Sequence, residues 1–99
     1  MADLSSKQRA HLRGLAHALR PVAHIGKEGV TPASVRALRQ TFDTHELMKV
    51  RVLEAAPQSA RETAYAIASE IDGAVVVQVV GRNATLYRPD PDDPTIELP

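Results

Sequence analysis

The segment whose residue types and spacing best suit chemistry with a phosphate is the tetrapeptide Gly26-Lys27-Glu28-Gly29. Two glycines around two polar residues let the backbone approach a ligand closely, and Lys27 can form an ion pair with an anion. Thr31 and Pro32 then predict the start of a helix, whose first turn carries free N–H groups and partial positive charge. The spacing therefore indicates an anion site, although a plain turn is the commoner role of such a tetrapeptide.

A second candidate group consists of basic residues near the N-terminus. They recur at steps of four, four and three along one stripe of a predicted helix: Arg9, Arg13, His17 and Arg20. No acidic residue occurs between Asp3 and Glu28, so these charges have no local partner. A solvated helix face would explain the stripe, but a polyanion that binds it is the explanation we favour. Depending on the sheet order, four further residues extend this surface: Lys49, Arg51, Arg82 and Arg88.

Other chemistries find little support in the sequence. There is no cysteine, which excludes disulfides and thiolate-bound zinc. The four histidines do not have the His-x-x-x-His spacing of a zinc site, and no nucleophile elbow, phosphate-binding P-loop or dinucleotide fingerprint occurs. We therefore expect no enzymatic activity, metal, cofactor or small-molecule substrate. The three aromatic residues are too few for a protein that reads long single strands by stacking.

Charge divides the chain into two parts. Residues 1–89 contain all 12 Lys and Arg residues and eight acidic residues, whereas residues 90–99 contain four acidic and no basic residues. This asymmetry predicts a basic domain over residues 1–89, followed by an acidic, proline-rich tail over residues 90–99. We expect the tail to be poorly ordered or only loosely docked. No apolar run is long enough for a membrane span, and we expect a cytoplasmic protein.

Apolar periodicity predicts seven elements in the order α-β-α-β-α-β-β. The predicted helices and strands are Leu4–Arg20, Pro21–Ile25, a helix from Thr31 to about Thr44, His45–Leu53, a helix from Ser59 to Gly73, Ala74–Val80 and Ala84–Arg88. This order predicts a single α/β domain with three helices on a four-stranded mixed sheet. Ala74–Val80 is almost wholly apolar, which is typical of a central strand. On the first helix, Leu12, Leu15, Ala16 and Leu19 are expected to form the buried face.

Several of these segments together resemble a known family, the bacterial YhbY proteins, which are stand-alone members of the CRM-domain family (chloroplast RNA splicing and ribosome maturation). The resemblance runs from about Leu4 to Pro89. The segments that carry it are Leu4–Arg9, Leu12–His17, Pro21-Val22, Gly26–Thr31, His45–Val50, Gln78–Arg82 and Leu86–Pro89.

The resemblance implies a fold similar to the C-terminal domain of translation initiation factor three. It also implies RNA binding through Gly26, Lys27, Glu28, Gly29 and nearby basic residues, and association with precursors of the large ribosomal subunit. We thus expect a monomeric assembly factor that binds structured ribosomal RNA. The main alternative is a protein-interaction module that docks on a ribosomal protein or dimerises; a small enzyme is the least favoured explanation.

Overall fold

The computed structural model describes residues 4–99. Its seven elements are α1 (Ser6–Ala16), β1 (Pro21–Ile25), α2 (Pro32–Phe42), β2 (Leu47–Val52), α3 (Ala60–Glu70), β3 (Val75–Val80) and β4 (Asn83–Tyr87). The order and number of elements are those predicted. Within the described range, no helix is long and apolar enough to cross a bilayer.

Local hydrogen bonds explain why two of the helices begin where they do. At α1, the Gln8 N–H donates to Ser5 Oγ and the Ser5 N–H donates to Gln8 Oε1, both at 3.1 Å. Ser59 and Glu62 make the same reciprocal pair at the start of α3. These are the two capping boxes that the sequence spacing predicts, and each satisfies backbone N–H groups that a helix start leaves free.

The four strands form one mixed sheet in the order β1-β2-β4-β3. β1 runs parallel to β2, while β4 is antiparallel to both β2 and β3. The prediction that β3 is a central strand is wrong, because the β3–β4 hairpin places β4 inside and β3 at the edge. β3 is apolar because both its faces are covered: Val76 packs into one core and Val77 into the other.

Helices cover the two faces of the sheet unequally. One face packs against both α2 and α3 and forms the larger core, to which Leu38, Val50 and Ile67 belong. The other, which we call the α1 face, packs against α1 through a smaller cluster that includes Leu12 and Tyr87. With 11 residues, α1 is about 16 Å long. One short helix leaves part of the α1 face open.

The first helix is shorter than the sequence predicts, and its apolar face is narrower. α1 ends at Ala16, so Leu19 lies in the connection to β1. Leu15 and Leu19 are 44% and 37% exposed, and the prediction that both are buried is wrong. Leu12 and Ala16, in contrast, are fully buried. The helical spacing is regular, but the sheet beneath α1 reaches only the Leu12 and Ala16 side.

The acidic tail is held against the domain, so the prediction of a poorly ordered or loosely docked tail is wrong. The buried Glu46 carboxylate accepts backbone N–H groups from Asp90 at 2.6 Å, Thr95 at 2.9 Å and Ile96 at 2.6 Å. Ile96 and Leu98 also pack against the α1 cluster. The composition of the tail did not predict these hydrogen bonds, because their acceptor, Glu46, is distant in the sequence.

Candidate nucleic-acid interface

The Gly26–Gly29 loop connects β1 to α2, and its two glycines have different roles. The Gly29 N–H donates to the Gly26 carbonyl at 2.9 Å, which closes a four-residue turn. Gly29 has a φ of 68°, and a Cβ there would lie 3.0 Å from Pro57 Cγ. A Cβ on Gly26 would meet only Leu53 Cδ1, at an ordinary 3.6 Å. The fold therefore requires glycine at Gly29, whereas it tolerates a side chain at Gly26.

Lys27 and Glu28 are both exposed at the tip of this loop. The predicted N-cap of α2 is present, because Thr31 Oγ1 accepts the Ser34 N–H at 3.0 Å. Ser34 Oγ in turn accepts the Thr31 N–H at 2.8 Å, and Pro32 has no N–H. The helix start thus satisfies more of its own donors than the sequence suggested. An anion at the loop would depend mainly on Lys27 and the loop backbone.

Residues paired across neighbouring strands point to the same face, so the register divides the α1 face into three rows. The covered row consists of Val75, Tyr87 and Leu47, which lie beneath α1. The middle row consists of Gln78, Thr85 and Lys49. The open row consists of Val80, Asn83, Arg51 and His24.

The two rows beyond α1 carry basic side chains to the surface. Arg51 and His24 are exposed in the open row, and Lys49 is partly buried in the middle row. The alternation of β2 predicted that Lys49 and Arg51 share a face, and the register confirms it. His24 was not among the predicted binding residues, because its position beside Arg51 depends on the pairing of β1 with β2.

Three predicted basic residues meet at one end of the sheet, which we call the loop end. Because β1 and β2 are parallel, the Gly26–Gly29 loop lies beside the end of β2, where the Leu53 N–H donates to the Ile25 carbonyl at 2.8 Å. The β3–β4 turn is also there, since the Val52 N–H donates to the Arg82 carbonyl at 2.8 Å. Lys27, Arg51 and Arg82 therefore share the loop end.

Arg88 lies at the opposite end of the sheet, which we call the tail end. Its N–H donates to the Glu46 carbonyl at 2.8 Å, next to the site where Glu46 holds the tail. The length of β2 separates it from the loop end, which is on the order of 20 Å. The N–H groups of Asp93 and Asp92 lower the pKa of Asp90, and the charge of Arg88 adds to this effect. Arg88 is thus associated with the acidic tail.

The predicted N-terminal stripe is only partly available to a ligand. Arg9 is partly buried, and its Nη1 donates to the carbonyls of Val76 at 2.8 Å and Val77 at 2.5 Å. The other three members are exposed: Arg13 on α1, His17 at its C-cap and Arg20 just before β1.

Unpaired basic residues near the ends of the first helix and first strand predict that the stripe and Lys27 lie close together in space, and this prediction is wrong. Arg20 precedes Pro21, which pairs with Lys49, whereas Lys27 follows the far end of β1. The two are about 20 Å apart along the strand. Lys49 and Arg51 lie between them on β2, so the basic residues form a band rather than a compact patch.

The distribution of acidic residues distinguishes the two faces. Neither α1 nor any of the four strands contains an aspartate or glutamate. On the opposite face, α3 carries Glu62 and Glu70, and Arg39 Nη2 donates to the Glu70 carbonyl at 3.0 Å. Across residues 4–99, no group of three potential ligand side chains is arranged to hold a metal ion. The helix and strands that carry the exposed basic band therefore contribute no acidic side chain to it.

The fold is that of a CRM-domain protein. A family model for the CRS1/YhbY (CRM) domain matches residues 4–88, and the chain belongs to this family. The sequence resemblance is thereby confirmed.

Individual relatives match over almost their whole length. The chain is 37% identical over 99 residues to a Haemophilus influenzae protein named RNA-binding protein, covering 100% of this chain and 98% of the relative. It is 31% identical over 96 residues to the Bacillus subtilis protein named probable RNA-binding protein YqeI, covering 97% and 99%. The solution structure of the hypothetical protein SAV1595 from Staphylococcus aureus superposes with a TM-score of 0.79 at 35% identity, covering 98% and 100%.

Proposed function

We propose that this protein is a non-enzymatic RNA-binding protein that contacts structured RNA with the loop end and the basic band of its α1 face. The observation that carries the proposal is the position of Lys27, Arg51 and Arg82 at one end of the sheet, next to a face whose helix and strands contain no acidic residue. Membership of the CRM family and the names of the relatives support RNA as the polyanion.

Binding would begin with phosphates. The backbone at Gly26 is open to close approach, and Lys27 provides the charge for one phosphate. Arg51 and Lys49 would contact the next phosphates along β2, and Arg20 would contact one near the start of β1. A band about 20 Å long fits the backbone of a folded RNA better than a single base. Shape and backbone geometry would then matter more than base identity, as is usual for helical RNA.

The finer part of the proposal is a role as a cytoplasmic assembly factor that binds, as a monomer, the ribosomal RNA of a large-subunit precursor. It rests on the resemblance to the YhbY proteins. Crosslinking in cells, followed by sequencing of the bound RNA, tests this role directly. We expect reads concentrated in large-subunit ribosomal RNA; reads spread evenly over messenger RNAs would contradict the assembly role while leaving RNA binding intact.

A protein-interaction module is the second candidate, and one observation favours it. Leu15 and Leu19 are exposed beside Leu47 and Ile96, where they line a shallow apolar groove at the tail end. This groove lies at the tail end, away from Lys27 and Arg51. A protein that docks there would be insensitive to mutations of Lys27 and Arg51.

Salt dependence separates the two candidates. With about four to six phosphates neutralised, log affinity for a ribosomal RNA fragment should fall against log salt with a slope of roughly −3 to −5. The measurement is a fluorescence-anisotropy titration of the purified protein at several salt concentrations. Affinity that stays flat across that range would rule out the basic band as the binding surface, because an apolar interface responds weakly to salt.

A further inference from the structure

We infer that the open row, Val80, Asn83, Arg51 and His24, is a subsite for an unpaired nucleotide next to the phosphates held at the loop end. This inference rests on the proposed function and adds the chemical class of RNA that the surface prefers. It does not follow from positive charge alone, because a paired helix would satisfy Lys27, Lys49 and Arg82 equally well.

Two planar side chains lie next to each other in this row. His24 and Arg51 are register partners on the parallel strands β1 and β2, so their backbones are about 4.8 Å apart. Both are exposed and point away from the larger core. Unpaired RNA bases stack on histidine rings and on arginine guanidinium planes. Together the two side chains offer a platform large enough for one base.

The row also exposes apolar surface. Val80 is 62% exposed at the edge of the row, and Val22, which alternation places on the same face of β1, is 49% exposed. The larger core buries Val35, Val50 and Val76 on the opposite side of the sheet. A ribose or base that lies over Val80 would remove that side chain from water, whereas the phosphates of a duplex would not.

Asn83 lies between Arg51 and Val80 in the row. Its Oδ1 is buried, and within the described part of the chain it accepts no hydrogen bond. An unpaired buried acceptor is unfavourable. A small movement of the neighbouring side chains would let an amino group of a base donate to it. Adenine, guanine and cytosine carry such a group, so they are the bases we expect.

The size of the row limits the ligand to one or two nucleotides. Four strands span only about 14 Å from His24 to Val80, and the covered row under α1 closes the other side. The scarcity of aromatic residues agrees with this limit, because a longer single strand needs a series of stacking platforms. The expected ligand is a helix with a bulged or flanking nucleotide.

The test compares two RNA hairpins that are closed by the same non-nucleotide linker and have the same number of phosphates, one fully paired and one with a single unpaired adenine. We expect the wild-type protein to bind the bulged hairpin about tenfold more tightly, the effect of one stacked base. His24→Ala, Arg51→Lys and Val80→Ser should each reduce this preference to about threefold or less. Arg51→Lys keeps the charge but loses the plane, so it should lose more affinity for the bulged hairpin than for the paired one.

The control is Tyr65→Ala on α3, at the opposite face. Tyr65 is 52% exposed and lies 5.6 Å from the Arg61 guanidinium, so it is an exposed aromatic beside an arginine, as His24 is. We expect it to leave both affinities unchanged. Equal wild-type affinity for the two hairpins, or an equal loss of preference in Tyr65→Ala, would overturn the inference. Absence of salt-dependent binding to either hairpin would instead refute the proposed function.

Discussion

The loop end and the tail end of the α1 face differ in how the ends of the strands are covered. At the tail end, α1 and residues 90–99 cover the strands, and Glu46 collects three backbone N–H groups. At the loop end the open row keeps His24, Arg51 and Val80 exposed, and Lys27 and Arg82 lie in the loops that follow β1 and β3.

The two ends show how stability and ligand binding can be divided within a small domain. The tail end is stabilised by a carboxylate and apolar residues. The charge of Glu46 is therefore already engaged by backbone N–H groups. The loop end carries the cost of unpaired like charges, and a ligand of opposite charge is what would offset it. Each of the following substitutions acts mainly at one end and therefore tests whether the two ends have separate roles.

The largest effect is expected for Gly26→Asp at the loop end. The structure has space for the side chain, but its negative charge would oppose a phosphate, and like charges in an interface cost several kcal/mol, or roughly 100-fold in affinity. Anisotropy titration against a ribosomal RNA fragment measures the loss, and circular dichroism checks the fold.

Gly29→Asp is the informative contrast, since it should reduce stability as well as binding. Because the backbone at this position is left-handed and a Cβ would contact Pro57, the free energy of unfolding should fall by about 1–3 kcal/mol. A folded Gly26→Asp protein that binds as tightly as wild type would show that the loop is only a turn.

Glu46→Ala should have the next largest effect, and on stability. Removing the carboxylate leaves three tail N–H groups without their acceptor, and hydrogen bonds to a charged group contribute about 1.5–3 kcal/mol. We expect the free energy of unfolding, measured with urea, to fall by about 2 kcal/mol. Glu46→Gln, which keeps one acceptor oxygen, should lose less. RNA affinity that falls together with stability in both variants would contradict the separation of the two ends.

Single charge removals should have intermediate effects. Lys27→Ala and Arg51→Ala should each weaken binding to all RNA sequences and make the salt slope shallower by about one unit. Arg88→Ala removes the same charge at the tail end and should leave the slope unchanged. An Arg88→Ala slope that changes as much as that of Arg51→Ala would mean that the interface covers both ends.

A smaller effect is expected from the exposed acids of the tail. We hypothesise that they repel RNA from the α1 face and so reduce non-specific binding. Replacing Asp92, Asp93 and Glu97 by their amides keeps the backbone contacts with Glu46 and should raise affinity for an unrelated RNA about threefold at low salt. Deleting residues 90–99 should act in the same direction, and unchanged or weaker binding in both would count against repulsion.

The smallest expected effect is a pH dependence of the tail. The Asp90 carboxylate accepts the N–H groups of Asp92 at 2.9 Å and Asp93 at 3.0 Å, and these bonds lower its pKa below the usual 3.8. Because the folded pKa is the lower one, the contribution is complete above the unfolded pKa and is lost as pH falls through the folded value. Near that pH, hydrogen exchange of the tail amides should become slightly faster than the change in the intrinsic exchange rate accounts for. Asp90→Asn should remove this pH-dependent increase.

Local sequence signals predict most of this fold. The capping boxes at Ser5 and Ser59 and the alternation of Lys49 and Arg51 depend on neighbours within a few residues, and the structure contains them all. Strand order depends on contacts between distant segments, and for this reason β3 was wrongly predicted to be central. The docking of the tail on Glu46 spans more than 40 residues and leaves no local pattern.

The candidate site was predictable to a similar extent. The loop and the basic residues are visible in the sequence, whereas the open row becomes visible only when three strands are aligned. For Leu15 and Arg9 the sequence pattern was misleading, because helical spacing does not show which turn of α1 contacts the sheet. Arg9 has the spacing of a ligand-binding residue, yet its guanidinium lies against β3.

The position of Arg9 has a consequence for the solubility of the protein. β3 is an edge strand rich in valine, which is a ready template for pairing with a strand of another molecule. The register shift between Val76 and Gln78 interrupts that template, and the Arg9 guanidinium occupies the carbonyls of Val76 and Val77 there. A residue of the basic stripe thus covers part of the exposed edge of β3, an arrangement that disfavours edge-to-edge pairing between molecules.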